Sequence, residues 1–455
     1  MSVFPVSPPS PPRDSSATPP GSLLPTPLVI PRPEHPVSRQ YIDREALKVM
    51  YRLRDAGFLA YLVGGGVRDI YLGKVPKDFD ISTSASPNEI RKIFRNSRII
   101  GRRFRLVQVF FGGGKIVEVS TFRCRTDDDE PGDEASVLPA NNEFGDPAED
   151  AFRRDLTINA IFYEIEGYTV IDYTGGVQDL HDKVVRLIGD PARRITRDPV
   201  RMMRVIRHAA RASFTIEPLT WEAVIANREM LNLCPVSRVR DELFKDLRGG
   251  ACRAWAELAL SSGIFTVLFP FYEAVLVDPD QATTTRNLLL NLMGVLDRLA
   301  AEGQNVPEEM LFSLLLLPLV IAEPGFLAIQ TQQASSAHTL VLRDRLEGYF
   351  ARLNIKRATQ DQIARSVATL PLMINNEQDG AWPKWLTRKS YFASGQQVFE
   401  LYSEARGMKA VAEVAFPVAV ASEEKAKSSF SGGGGSRGPA FAPSTKGGVF
   451  GFRKY

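Results

Sequence analysis

The chain lacks any apolar run long enough to cross a bilayer. Its longest uncharged apolar stretch, residues 310–322, is shorter than the roughly 20 residues a spanning helix needs and contains Pro318, so a buried helix and no membrane partner are expected. The basic start and apolar core of a secretion signal are missing as well. Cysteine is scarce: Cys124, Cys234 and Cys252 match no metal-ligand spacing, and an odd number does not make a disulfide framework. A reducing cytoplasm is the expected compartment. No internal repeat points to a solenoid. Acidic residues are absent from residues 425–455, which carry Lys425, Lys427, Arg437, Lys446, Arg453 and Lys454 around four consecutive glycines, so a flexible basic tail is expected there.

Between the ends the pattern changes twice. Twelve of the first 36 residues are proline, which predicts a disordered arm outside the fold. Residues 41–56 space Ile42, Leu47, Val49, Met50 and Leu53 as an amphipathic helix closed by Gly57. Short runs rich in β-branched and aromatic residues follow, "AYLVG", "FDIS", "VQVFFG" and "KIVEVSTF", with a helix predicted near residues 87–95. Beyond about residue 180 the pattern turns helical, so a small α/β head followed by an all-α body is predicted. The acidic stretch of residues 124–150 reads as a mobile loop between head strands.

Within the head, "YLVGGGVRDIYLGKVPKDFDIS" sets a glycine turn beside two aspartates. Asp78 and Asp80 stand at i and i+2, which on a strand puts both carboxylates on one face. Like charges so placed call for a cation, and Mg²⁺ takes carboxylate and phosphate oxygens together. Gly64 and Gly65 would let the backbone approach a triphosphate, with Arg68 adding charge. Either feature alone is a common turn or strand end; their proximity points to a metal-bound nucleotide. Glu118 faces the same metals or solvent, and its sequence does not decide which.

Two arginine groups extend the picture. In "RRDLTINAIFYE" Arg153 and Arg154 can hold phosphates bidentately, while Asp155 accepts a ribose hydroxyl or orients an arginine at the start of an amphipathic element. In "ARRITRDPVRMMRVIRHAARASF" Arg194, Arg197, Arg201, Arg204, Arg207 and Arg211 recur at spacings of three and four. One helical stripe with Asp198 as its N-cap and Pro199 in its first turn is predicted. Solvated basic faces interleave lysine and glutamate; a stripe of arginine favours phosphate.

These stretches, with "EVSTFR" and "YTGGVQDLHDKVVRLIG", in that order resemble the class II nucleotidyltransferases, the bacterial poly(A) polymerases and tRNA CCA-adding enzymes, strongly over residues 41–275 and in pattern beyond. The resemblance implies a polymerase-β-like head at 37–180, a helical neck at 181–275 that binds nucleotide and RNA, and a helical body and tail at 276–424. It implies an enzyme that transfers AMP from ATP to an RNA 3′ end with two Mg²⁺ ions. Carried over residue by residue, Asp78 and Asp80 would bind metal and, with Asp155, form the catalytic set; Gly64, Gly65 and Arg68 would bind the triphosphate; Arg154 and Asp155 would meet ribose and phosphates; Arg201, Arg204 and Arg207 would hold phosphates, with Asp198 also on the nucleotide. "GRRFRL", with Arg102, Arg103 and Arg105 as primer or nucleotide contacts, resembles the poly(A) polymerase branch. So do Asp241, Glu242 and Lys245, where CCA-adding enzymes carry a base-reading E-D-x-x-R. A monomer, with RNA-decay proteins as possible partners, is the expected state. Three other readings compete: a CCA-adding enzyme, a non-catalytic RNA-binding protein on this fold, and a small-molecule nucleotidyltransferase. The last has no need of a long helical body and an arginine stripe.

Overall fold

A computed structural model of the chain describes residues 25–101, 105–124, 144–376, 382–408 and 414–416. The head is built on one eight-stranded mixed sheet. Its strands in chain order are β1 (Leu28–Ile30), β2 (Ala60–Val63), β3 (Asp80–Thr83), β4 (Ser97–Ile100), β5 (Leu106–Phe110), β6 (Ile116–Thr121), β7 (Ile161–Glu164) and β8 (Val170–Asp172). In space they run β1-β8-β7-β2-β3-β6-β5-β4. Only β3 and β6 pair in parallel; the other neighbours are antiparallel.

The sheet is covered on both faces, which is why all four residues of β2 are buried. On one side Leu62 joins Val49, Met50 and Leu53 of helix α1 (Arg44–Asp55), whose first turn is held by the Asp43 carboxylate accepting from the Glu45 and Ala46 amides. On the other side Tyr61 and Val63 pack with Phe122, Ala151 and Phe162. Helix α2 (Gly65–Tyr71) follows β2, and α3 (Pro87–Ile93) follows β3 behind a Ser86–Glu89 capping box.

Two sequence expectations for the head need correction. The N-terminal arm does not run to residue 36: Leu28–Ile30 pairs antiparallel with β8, and His35 and Val37 are buried. An edge strand tolerates flanking prolines because its outer N–H groups are not needed, so Pro25, Pro27 and Pro31 frame a strand rather than prevent one. Residues 1–24 lie outside the described residues. The acidic stretch likewise ends as helix α4 (Pro147–Arg153), capped reciprocally by Asp146 and Glu149 with Pro147 in the first turn. Residues 125–143 lie outside the described residues.

Helices follow the sheet. Helix α5 (Gly176–Asp182) leads into α6 (Pro191–Arg197), α7 (Arg201–Ala212), α8 (Pro218–Asn227), α9 (Val236–Leu247) and α10 (Cys252–Ser262). A bundle of longer helices comes next, including Ala282–Ala301, Arg357–Asn376 and Phe392–Ala405. Glu308–Ile321 runs through its middle with every residue from Met310 to Val320 buried, as the apolar run predicts. No helix among the described residues is long and apolar enough to cross a membrane. The three cysteines form no disulfide with one another. The fold is thus a polymerase-β-like head followed by helical domains.

Candidate active site

The register of the sheet sets the acidic side of the site. Asp80 opens β3, opposite Val63 on β2 and Glu118 on β6. Cross-strand partners share a face, so Asp80, Glu118 and the Ser82–Ser120 pair beyond them (Oγ to Oγ 3.0 Å) project to the side covered by α4. Desolvation, eased by Arg154 and reinforced by the Glu118 and Asp78 carboxylates, raises the Asp80 carboxyl above its ordinary pKa. Asp78 lies two residues before the strand rather than on it.

Gly64 brings the backbone close to both charged walls of the site. It holds φ +71°, and a Cβ there would stand 3.4 Å from Arg154 Nη1 and 4.0 Å from Asp80 Oδ2. A side chain would therefore crowd the space between the carboxylate and the arginine, besides straining the backbone. Arg154 donates from Nη2 to Asp150 Oδ2 at 2.9 Å and to Ser82 Oγ at 3.1 Å, while its buried Nε has no hydrogen-bond partner among the described residues.

Opposite these residues α7 supplies the basic wall. Arg204 Nε donates to Asp155 Oδ2 at 2.6 Å; burial opposes the Asp155 charge, but Arg204, His208 and the Leu156 amide together more than reverse this and hold the carboxyl well below its usual range. Arg68 donates through Nε and Nη2 to Asp69 Oδ1 and through Nη1 to Asn159 Oδ1 at 2.6 Å. Together Gly64, Gly65, Arg68, Asp80, Arg153, Arg154, Asp155, Asn159, Asp198, Arg201, Arg204 and His208 enclose a pocket of about 410 Å³. On the far side of Asp80 lies a second groove of about 380 Å³, whose walls include Lys77, Asp78, Gln108, Lys115 and Glu118. Gln108 donates to Glu118 Oε1 at 2.9 Å across β5 and β6.

Several residues singled out from sequence lie elsewhere. The arginine stripe is divided between two helices because Asp198, preceding Pro199, leaves helical geometry (φ −144°, ψ 83°). Asp198 is accordingly not an N-cap. Asp190 caps α6, and Asp198 pairs with Arg238 at 3.0 Å. Arg207 turns away from the pocket and is buried on α9, with Nε 2.5 Å from Asp246 Oδ1 and Nη2 on Glu242. Glu242 also accepts from Lys245 Nζ at 2.9 Å, and Asp241 is exposed; none of Asp241, Glu242 and Lys245 lines the pocket. Arg153 closes α4, Arg154 is its C-cap and Asp155 follows, and what comes after them is not amphipathic: a buried 3-10 turn (Thr157–Asn159) leads into the buried strand β7. Arg105 is exposed ahead of β5, outside both cavities, while Arg102 and Arg103 lie outside the described residues.

His208 was not among the expected residues. Its signal was position: four residues after Arg204 and seven after Arg201, it returns to the face of α7 that those arginines occupy.

The chain matches the family model "Poly A polymerase head domain" over residues 60–186 and "Probable RNA and SrmB- binding site of polymerase A" over residues 213–276. It is 38% identical to poly(A) polymerase I of Salmonella typhi over 378 residues, 80% of each chain. To a CCA-adding enzyme of Lactobacillus helveticus it is 39% identical over 202 residues, 44% of this chain and 49% of that one. Among solved structures the Bacillus stearothermophilus CCA-adding enzyme in complex with CTP shares the fold, with a TM-score of 0.58 at 23% identity over 82% of this chain and 78% of that one. The head-domain match covers Gly64, Arg68, Asp80, Arg154 and Asp155 of the pocket, and the match to poly(A) polymerase I extends over 80% of the chain. The chain belongs to the class II nucleotidyltransferase family of poly(A) polymerases and CCA-adding enzymes, and it is a polynucleotide adenylyltransferase.

Proposed function

We propose that the chain is a template-independent poly(A) polymerase, adding AMP from ATP to RNA 3′ ends and releasing pyrophosphate. The observation that carries this reading is the pocket in which Asp80 faces Arg68, Arg154, Arg201 and Arg204. With Arg153, five guanidinium groups line the pocket and suit a triphosphate, and the shared wall at Asp80 leaves the second groove for the RNA 3′ end. In-line attack would join the 3′-oxygen to the α-phosphorus as the bond to the β-phosphate oxygen breaks. Asp155 acts through Arg204, whose orientation it sets, and is a positioning residue in this scheme. Glu242 and Lys245 contribute by bracing Arg207 against α9, not by touching the base.

The donor set fits Mg²⁺. Asp78, Asp80 and Glu118 offer hard carboxylate oxygens, and the raised carboxyl of Asp80 marks a site short of positive charge. Among the described residues no three acidic, histidine or cysteine side chains form a ready cage, so Asp78 and Asp80 would share the ion with phosphate oxygens. When bound, magnesium supplies charge neutralisation for the attacking 3′-oxygen and the departing pyrophosphate. The enzyme is proposed to work as a monomer in the cytoplasm, where its cysteines remain thiols.

CCA addition is the second reading, favoured by the identity to the Lactobacillus helveticus enzyme. Against it, the match to poly(A) polymerase I extends over 80% of the chain, the CCA match over 44%. A single gel separates them. With ATP and a generic single-stranded RNA the enzyme should add long adenylate tails and use CTP poorly. Terminating C-C-A addition to a truncated tRNA, with no tail on generic RNA, would overturn the poly(A) reading.

A further inference from the structure

His208 sits at the floor of the pocket with both ring nitrogens against donors. Nδ1 lies 3.2 Å from Arg68 Nη1, and Nε2 lies 3.3 Å from Asn159 Nδ2. The amide of Asn159 is held in this sense, since its Oδ1 accepts from Arg68 Nη1 at 2.6 Å and its Nδ2 faces Asp155 Oδ1 at 3.5 Å. A protonated imidazole, with an N–H at each nitrogen, would find an acceptor at neither. A neutral ring has one lone pair for the two donors.

The charges around it agree with that. Arg68 acts on the ring from α2, Asp155 from the segment before β7 and Arg204 from its own helix, while Arg207, turned onto α9, adds its charge from the same helix. Burial, then Arg68, pushes the imidazole down to about 3, with Asp155 opposing the shift and Arg204 and Arg207 adding to it. What the ring does for Arg68 is geometric. Two of that guanidinium's nitrogens rest on one oxygen, Asp69 Oδ1, at 2.9 and 2.7 Å, which leaves a hinge. Asn159 and His208 bracket the third nitrogen and stop the swing.

We propose that His208 is a neutral positioning residue of the nucleotide pocket, which orients Arg68 toward the triphosphate by accepting a hydrogen bond while adding no charge of its own. This rests on the reading of the pocket as the ATP site.

The test is equilibrium ATP binding, followed calorimetrically on the full chain at pH 5.5–7.5, for wild type, His208→Phe, His208→Gln and Arg68→Ala, with thermal melts to verify folding. Loss of one neutral hydrogen bond should weaken ATP binding roughly three- to tenfold in His208→Phe, and His208→Gln, which keeps an acceptor, should stay within about twofold of wild type. The pH dependence of wild type should run parallel to that of His208→Gln. Wild-type affinity in His208→Phe would overturn the proposal. So would His208→Gln binding as weakly as His208→Phe, which is the result of a packing role, or wild type tightening relative to His208→Gln below pH 6.5, the result of a ring that charges. Arg68→Ala separates the two levels. If it loses ATP while His208→Phe does not, only the role of His208 falls; if it binds ATP as wild type does, the pocket is not the nucleotide site.

Discussion

At Asp80 the sheet register leaves a carboxylate beside Glu118 with Arg154 as the nearby cation, and the raised carboxyl records the imbalance. Because the folded state holds this proton more tightly than the unfolded chain does, the ionised group detracts from stability increasingly as pH rises through the carboxylate range. Asp80→Asn should therefore abolish detectable transfer while leaving Tm at pH 8 unchanged or higher by roughly 1–3 °C. Its advantage over wild type should widen from pH 4 to pH 8. A lower Tm, or a gap that narrows with pH, would mean that the carboxylate is already compensated by the protein. Asp78 and Asp80 were readable from sequence because a D-x-D beside a glycine turn is a local pattern. His208 was not, since its significance lies in two partners 140 and 49 residues distant along the chain.

Helix α7 explains why a regular spacing of arginines does not make one functional stripe. At about 100° per residue, three positions fall about 60° short of a turn, so Arg201, Arg204 and Arg207 spiral across the helix. Arg201 and Arg204 line the pocket, and Arg207 has rotated onto α9. The two ends of the spiral should respond differently. Arg207→Met strands Asp246 in the interior and leaves Glu242 with Lys245 as its cation; burial, eased by Arg207 and worsened by Glu242, already pushes Asp246 up to about 7. Loss of the cation should cost about 3–5 kcal/mol in urea unfolding. Arg201→Ala removes a pair 4.0 Å from Asp198 and a hydrogen bond to the Arg194 carbonyl at 3.2 Å, leaves Asp198 paired with Arg238, and should cost less than Arg207→Met while weakening ATP binding. Equal stability losses in both variants would contradict the division of roles. The break at Asp198–Pro199 was legible as a proline signal, yet periodicity read it as a helix start. The strand Leu28–Ile30 was hidden for a different reason: three residues between prolines carry no pattern until β8 offers an edge.

For the whole molecule, the head–helix architecture was legible because the sequence switches from short β-branched runs to 3.6-residue periodicity, whereas the way α7 and β3 converge on one pocket depends on contacts that no local pattern encodes. The pocket accounts for a nucleotide, but an RNA chain needs a track of cations beyond it. Residues 425–455 carry six lysines and arginines and no acidic residue, and lie outside the described residues. If they run along the RNA backbone, each phosphate contact contributes about 0.7 to the slope of log K against log salt for a single strand, so removing the tail should flatten that slope by up to about four. ATP affinity should not change, because Arg68, Arg154, Arg201 and Arg204 remain in place. Filter binding of a single-stranded RNA across 50–300 mM salt, conditions on the scale of counterion release, reads this directly for the full chain and the chain ending at Glu424. An unchanged slope would place the RNA track on the helical domains and leave the tail a solubilising role.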